Sequence, residues 1–174
     1  VITFSWAQRF PAGDWQIANC DIGQGDAMAI NLKHHRAIVI DVGPDPQLID
    51  RCLRQLGVKQ IPLLILTHIH ADHVGGLAGA RKNRKIGTTW YGNVFAGTRA
   101  TIENLKIEVK WPDRAGEYTP NNSSIAVVIR SPDFTLFAAG DIEPPVQSQL
   151  VSRIGDVDIY KVAHHGSRYQ DPDL

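Results

Sequence analysis

The chain has 174 residues with 18 Lys and Arg against 18 Asp and Glu, so its formal net charge is zero. That balance argues against the strongly basic surface of a dedicated nucleic-acid binder, and no apolar run approaches the roughly 20 residues of a membrane-spanning helix. A chain of this length can bury a substantial core and shows no low-complexity break, so a single soluble globular domain over residues 1–174 is expected. Its two cysteines, Cys20 in a strand-like run and Cys52 on an apolar helical face, suggest no disulfide framework and read as small core residues.

Taken in chain order, Trp15 to Cys20, Ala27 to Leu32 and Ala37 to Val42 read as strands opening an antiparallel sheet, with Lys33-His34-His35-Arg36 as a polar hairpin. Leu48, Ile49, Cys52, Leu53 and Leu56 then recur at helical spacing between Pro46 and Gly57. A buried strand over Pro62 to Thr67 follows. Val74-Gly75-Gly76-Leu77 allows a tight backbone turn before an apolar helical pattern resumes. Further strands are expected at Thr88 to Tyr91, Leu105 to Val109, Ser124 to Arg130 and Phe134 to Ala139, the last two joined by Ser131-Pro132-Asp133. Glu143 to Ile154 reads as a helix with prolines in its first turn, and Val157 to Val162 as a strand. Periodicity alone shows mixed α and β with polar residues gathered at strand ends.

The densest chemistry lies in Thr67-His68-Ile69-His70-Ala71-Asp72-His73, directly after the apolar run Pro62 to Leu66. On a continuing strand His68 and His70 point the same way and can reach one ion; Asp72 and His73 follow where the chain turns and can serve a second. Imidazole nitrogen and carboxylate oxygen are the donors that catalytic zinc and related divalent ions take. Asp141 closes the apolar strand Phe134 to Ala139, and a carboxylate there needs either a cation or hydrogen bonds, or else caps the next helix. Asp41 ends Ile38-Val39-Ile40, where a turn residue is equally natural. His164 and His165 end another apolar run; on a strand they face opposite ways, so one of the two reaches a common site. His34 and His35 read as solvated surface.

The H-x-H-x-D-H motif at His68 to His73 resembles that of the metallo-β-lactamase superfamily. Cys20-Asp21-Ile22-Gly23-Gln24-Gly25-Asp26-Ala27 is similar to the D-V-G-Q-G-D segment of the carboxy-terminal metallo-β-lactamase-like domain of the ComEC competence proteins. Ala139-Gly140-Asp141-Ile142 and Lys161-Val162-Ala163-His164-His165-Gly166-Ser167 are similar to that family's G-D-I and H-H-G-S phrases. The resemblance implies an α/β fold of the αββα sandwich type, here without its C-terminal part, and a fragment of a larger membrane protein whose channel and OB-like domains would be its partners. The parent would sit in the cell membrane and the fragment itself would be soluble; nothing signals oligomerisation.

By the same resemblance His68, His70, Asp72, His73, Asp141 and His165 ligate up to two divalent ions, Zn²⁺ or Mn²⁺, with Asp141 bridging. Asp41 supports the metal loop without binding metal, Asp72 is the orienting base, and His164 is the second catalytic candidate, either backing the ligands or facing substrate. His165 is chosen because superfamily members carry the late histidine just before a glycine or short turn. The chain departs from the complete pattern in having no histidine between His73 and Asp141. Asn121-Asn122-Ser123-Ser124, with Asn122 and Ser123 as the named candidates, is the stand-in, and harder oxygen donors tilt such a site toward Mn²⁺ or a weakly held ion.

Two ions of this kind activate water for hydrolysis, and the ligand set does not separate phosphodiesters from lactams or thioesters. The ComEC resemblance implies a nuclease on single-stranded DNA during uptake, with a non-catalytic, DNA-guiding module as the other reading. The basic run Arg81-Lys82-Asn83-Arg84-Lys85 either meets phosphates, through Arg84, or is a solvated helix end.

Overall fold

The computed structural model describes residues 14–174. They fall into two compact units, one made of residues up to Leu64 together with Ala71–Thr89, the other of Ile65–His70 together with Trp90–Leu174.

The first unit is built on a five-stranded sheet in the order β1 (Ile17–Asn19), β2 (Met28–Asn31), β3 (Ala37–Ile40), β4 (Gln60–Ile65) and β5 (Lys85–Trp90). β1, β2 and β3 pair antiparallel, Ile17 opposite Ile30 and Met28 opposite Ile40. Lys33, His34 and His35 turn the β2–β3 hairpin with φ of 62°, 49° and 63°. All four residues of β3 are buried, as expected of an apolar run that lies inside a sheet rather than at its edge. α1 (Pro46–Gln55) starts where the Asp45 carboxylate accepts the Gln47 N–H at 2.6 Å, with Pro46 in its first turn. Its inner face of Ile49, Asp50, Cys52 and Leu53 is buried. α2 (Ala71–Val74) and α3 (Leu77–Arg81) are single short turns of helix. α3 sits so close to α1 that a β-carbon on Gly79 would fall on the Pro46 carbonyl oxygen.

Two expectations are corrected in this unit. Cys20 and Cys52 are not separate core thiols but a disulfide, with Cα atoms 5.7 Å apart, inside the range that unstrained bridges occupy. The two cysteines are 32 residues apart on different elements, so no local pattern relates them. Arg84 does not face solvent either. Its side chain is 5% exposed and bonds Asp50 Oδ1 at 3.0 Å, with the carbonyls of Val58, Gly79, Lys82 and Asp50 accepting at 3.0 to 3.1 Å. A carboxylate on the inner face of α1 has drawn the guanidinium in, since a buried charge is tolerated only when paired and hydrogen-bonded.

The second unit carries a sheet in the order β10 (Ile159–Lys161), β9 (Thr135–Ala138), β8 (Ala126–Arg130), β7 (Leu105–Trp111) and β6 (Arg99–Ile102). β6 to β9 pair antiparallel, and β10 joins β9 in parallel after the crossover helix α4 (Pro144–Ile154). β7 alternates buried and more exposed residues, with Ile107 and Val109 on the face they share with Val127 and Ile129 of β8, while Trp111, past a register shift, joins a core of Val128, Phe137, Ile142, Leu150 and their neighbours on the other face. The turn Ser131-Pro132-Asp133 is pinned by the Ser131 hydroxyl, which accepts the N–H groups of Asp133 and Phe134 at 3.0 and 2.9 Å. β6 was not expected. Its residues are no more than half-buried, so it carries no hydrophobic signature. β8 starts later than its apolar pattern suggested, because Ser124 and Ile125 form a loop in which the Ile125 N–H donates to the Thr67 carbonyl at 2.9 Å. Among the described residues no helix is long and apolar enough to cross a membrane.

Arg84→Ala is expected to lower stability by about 1–3 kcal/mol, because the buried Asp50 carboxylate loses its closest partner and keeps only Lys82 at 3.4 Å and Arg54 at 3.5 Å. Burial pushes Asp50 up, yet hydrogen bonds from Arg84 and Lys82 outweigh it and hold the carboxyl below its ordinary value. A depressed carboxylate contributes above its unfolded pKa and loses that contribution as pH falls through the folded one. Urea unfolding should therefore show the gap between parent and variant narrowing below about pH 4. Reducing Cys20–Cys52, or Cys52→Ser, should remove about 3–4 kcal/mol in the same assay, from the loop entropy of a 32-residue separation.

Candidate metal centre

The second unit supplies one set of donors. β4 ends at Ile65, and Thr67 to His70 form a loop beyond it rather than a continuation of the strand. His68 is 3% exposed. Its Nδ1 lies 3.2 Å from Thr67 Oγ1 and 3.3 Å from Ser124 Oγ; a proton on Nδ1 shared with these hydroxyl oxygens leaves the Nε2 lone pair for a metal. That Nε2 is 3.1 Å from His70 Nδ1 and 4.0 Å from Asp141 Oδ2. Ser124 also accepts the Asp141 N–H at 3.0 Å, so one hydroxyl orients two of the predicted ligands. Gly140 is needed for this. Its φ is +60°, and a β-carbon there would lie 2.7 Å from Ser124 Cβ and 3.1 Å from Thr67 Cβ.

His164 to Gly166 form a 3₁₀ turn, with φ of 51°, 55° and 71°, rather than a strand end. The strand rule that sends neighbours to opposite faces therefore does not apply. The turn sets His165 Nε2 3.2 Å from Asp141 Oδ2. The His164 N–H donates to the Gly140 carbonyl at 3.1 Å, and the ring's Nδ1 is buried with no hydrogen-bond partner among the described residues. Two consecutive non-glycine residues at positive φ cost on the order of 1–3 kcal/mol each and persist where the surroundings over-determine them.

The first unit supplies the other set. His73, in α2, is fully buried, and its Nδ1 meets Asp41 Oδ2 at 2.8 Å. This carboxylate–imidazole pair fixes the ring and directs Nε2 outward as a metal donor. Asp41 holds its place with φ at +58°. Asp72 Oδ2 is 4.0 Å from His73 Nε2, and its side chain is 32% exposed. Asp26, 9% exposed, offers a carboxylate oxygen within 4.8 Å of a ring nitrogen of His73. α2 is lashed down by backbone bonds: the Asp72 carbonyl accepts the Asp26 N–H at 3.1 Å and the His73 carbonyl accepts the Val42 N–H at 2.8 Å. A β-carbon at Gly25 would fall on that same Asp72 carbonyl.

Donor chemistry and spacing both suit a divalent ion, since ligand atoms about 2.0–2.2 Å from one ion lie roughly 3–4 Å from each other. The structure thus gathers His68, His70, Asp141 and His165 in the second unit, and Asp41, Asp72 and His73 in the first. Asn122 and Ser123 are engaged elsewhere. Asn122 donates to Glu143 Oε2 at 3.1 Å and accepts the Glu143 N–H at 2.9 Å, Asn121 donates to Glu143 Oε1 at 3.3 Å, and Ser123 Oγ donates to the Pro120 carbonyl at 2.6 Å. The phrase thus ties down the start of α4, and these two residues are corrected from ligands to supports. Sequence reasoning also passed over Ser124 and Asp26, although both stand inside phrases it had singled out.

The superfamily model for metallo-β-lactamases matches residues 20–96. ComE operon protein 3 of Bacillus subtilis is 23% identical over 90% of the chain and 26% of its own length, and Recombination protein 2 of Haemophilus influenzae is 24% identical over 88% and 22%. The chain thus spans about a quarter of the length of these relatives. The metallo-β-lactamase GOB-18 of Elizabethkingia meningoseptica shares the fold with a TM-score of 0.57 at 15% identity, over 83% of this chain and 70% of that one. The fold is that of metallo-β-lactamases, a superfamily whose members are typically metal-dependent hydrolases. In sequence the chain resembles the carboxy-terminal metallo-β-lactamase-like domain of the ComEC competence proteins.

Removing an orienting partner while leaving the ligands in place should weaken metal binding by about 10–100-fold. Ser124→Ala and Asp41→Asn are each expected to do so in a chelator competition titration, with circular dichroism unchanged. Parental affinity in both would show that these bonds do not tune the site.

Proposed function

We propose that this chain is the hydrolytic domain of a DNA-uptake protein, a metal-dependent phosphodiesterase acting on single-stranded DNA. The observation that carries the reading is a complete H-x-H-x-D-H motif whose His68 and His73 are buried and oriented, in a chain similar to competence proteins over about 90% of its length. His68, His70, Asp72, His73, Asp141 and His165 hold up to two divalent ions, Mn²⁺ or Zn²⁺.

Bound ions of this type acidify water and neutralise charge on the attacked phosphorus. The chain's own groups do the rest. Asp72, the more exposed carboxylate of the motif, orients the attacking water and takes its proton. Asp41 keeps the His73 ring fixed while charge changes beside it, and His164 faces the substrate. The membrane channel and OB-like domains of a larger protein are the partners this reading implies, in the cell membrane. The Cys20–Cys52 bond supports an oxidising compartment for the domain, since such bridges are rare in reducing cytosol.

One observation favours a second reading, a non-catalytic module that guides DNA. No histidine lies between His73 and Asp141, and Asn121 and Asn122 are committed to Glu143, which leaves fewer donors than a complete dinuclear site has.

Metal analysis combined with cleavage assays in Mn²⁺, Zn²⁺ and Mg²⁺ separates the two. The hydrolase reading expects metal-dependent cutting of single-stranded DNA that falls at least a thousandfold in Asp72→Ala and His73→Ala, with the fold retained. A metal-loaded protein that cuts no DNA, or an Asp72→Ala variant as active as the parent, would leave the guiding module.

A further inference from the structure

The second unit holds an open pocket of about 250 Å³ that includes His68 in its lining. Its walls carry three aromatic rings, Tyr91, Phe95 and Tyr118, and one cation, Arg114. Tyr91 is 46% exposed, a large apolar ring left in water beside a metal ligand. Tyr118 is half-buried and braced edge-to-face on Trp111, ring centroids 5.2 Å apart, so this wall is rigid. Arg114 is exposed and pairs with no carboxylate among the described residues. Tyr91 and Arg114 are used by neither the ligand set nor the core.

We propose that this pocket takes a nucleotide flanking the scissile phosphodiester of a single-stranded nucleic acid, its base stacked on Tyr91 and Phe95 and a backbone phosphate on Arg114. The proposal rests on the hydrolase reading and names how its substrate is held. Aromatic faces accept any base, because every base has a π-face, but only when that base is out of a duplex stack. A guanidinium supplies the planar fork that suits phosphate oxygens. The volume lies below the roughly 300–1,000 Å³ of sites that enclose whole drug-sized ligands, which suits one nucleotide of a strand entering from solvent. Contiguity with His68 places the occupant next to the metal ligands.

The test is fluorescence anisotropy of a labelled oligothymidylate in EDTA, so that no cleavage intervenes, with the full chain. Tyr91→Ala should weaken binding about tenfold and Tyr91→Phe should keep it, since the phenyl face does the stacking. An oligonucleotide with abasic sites should bind the parent about tenfold more weakly, and should lose no further affinity on Tyr91→Ala. Arg114→Gln should lower the slope of log affinity against log salt by about 0.7. A Tyr91→Ala protein that binds like the parent, or loses as much on the abasic strand as on the normal one, overturns the pocket. If DNA is cut while Tyr91→Ala binds normally, the pocket fails and the hydrolase stands. If binding behaves as expected but nothing is cut, the hydrolase fails and the pocket stands only as a binding site for an unpaired nucleotide, with no scissile bond beside it.

Discussion

Asp41, His68, His73 and Asp141 are each exposed by 3% or less, and the penalty for taking such groups out of water constrains the structure around them. A buried imidazole or carboxylate is tolerated only with hydrogen-bond partners or a cation. In the first unit the answer is mutual, Asp41 against His73. In the second the Thr67 and Ser124 hydroxyls serve His68 and Ser124 holds the Asp141 backbone, while the Asp141 carboxylate faces the His165 imidazole at 3.2 Å. Each polar group thus has its direction set before any metal arrives, which is the preorganisation a catalytic or binding site needs.

Backbone geometry follows from that requirement. Gly140 has to bring Asp141 against Ser124 and Thr67 without a side chain in the way, and Gly25 has to let the Asp26 loop reach the Asp72 carbonyl. Asp41, His164 and His165 accept left-handed backbone for the same purpose, at a strain that ordinary loop residues would relieve. Gly25 and Asp26 of the G-Q-G-D phrase and Gly140 and Asp141 of the G-D-I phrase are therefore explained by packing against the ligand loops, with no appeal to substrate.

How much of this was readable in advance depends on the range of the interaction. β2, β3, α1 and α4 were legible because their apolar periodicity, capping residues and prolines are local. The candidate ligand residues stood out because metal chemistry demands rare residue types at close spacing. What escaped depends on distant partners. Arg84 belongs to a basic run by sequence and to a buried ion pair by structure, since Asp50, 34 residues earlier, draws it inward. Cys20 and Cys52 meet only once β1 and α1 are in place. Ser124 and Asn122 sit two residues apart in one polar phrase, and only the loop bonded to Thr67 decides that the serine, not the asparagine, serves the metal ligand.

Net neutrality bears on how such a protein would hold a polyanion. The basic run after the metal motif offers less than its count of charges implies, because Arg84 and Lys82 both pair with Asp50. Duplex DNA presents mainly its dense backbone charge to a partner, about one per 1.7 Å of axis, and a neutral chain exploits that poorly. A single strand adds exposed base faces. On the proposed reading, stacking on Tyr91 and Phe95 would act at short range, be indifferent to sequence and depend little on salt, so a chain of zero net charge with an aromatic pocket would discriminate against duplex without any contact that opposes it. Selectivity for unpaired strands would then follow from the absence of strong electrostatic attraction as much as from the rings themselves, and adding lysines around the pocket would raise affinity while eroding that preference.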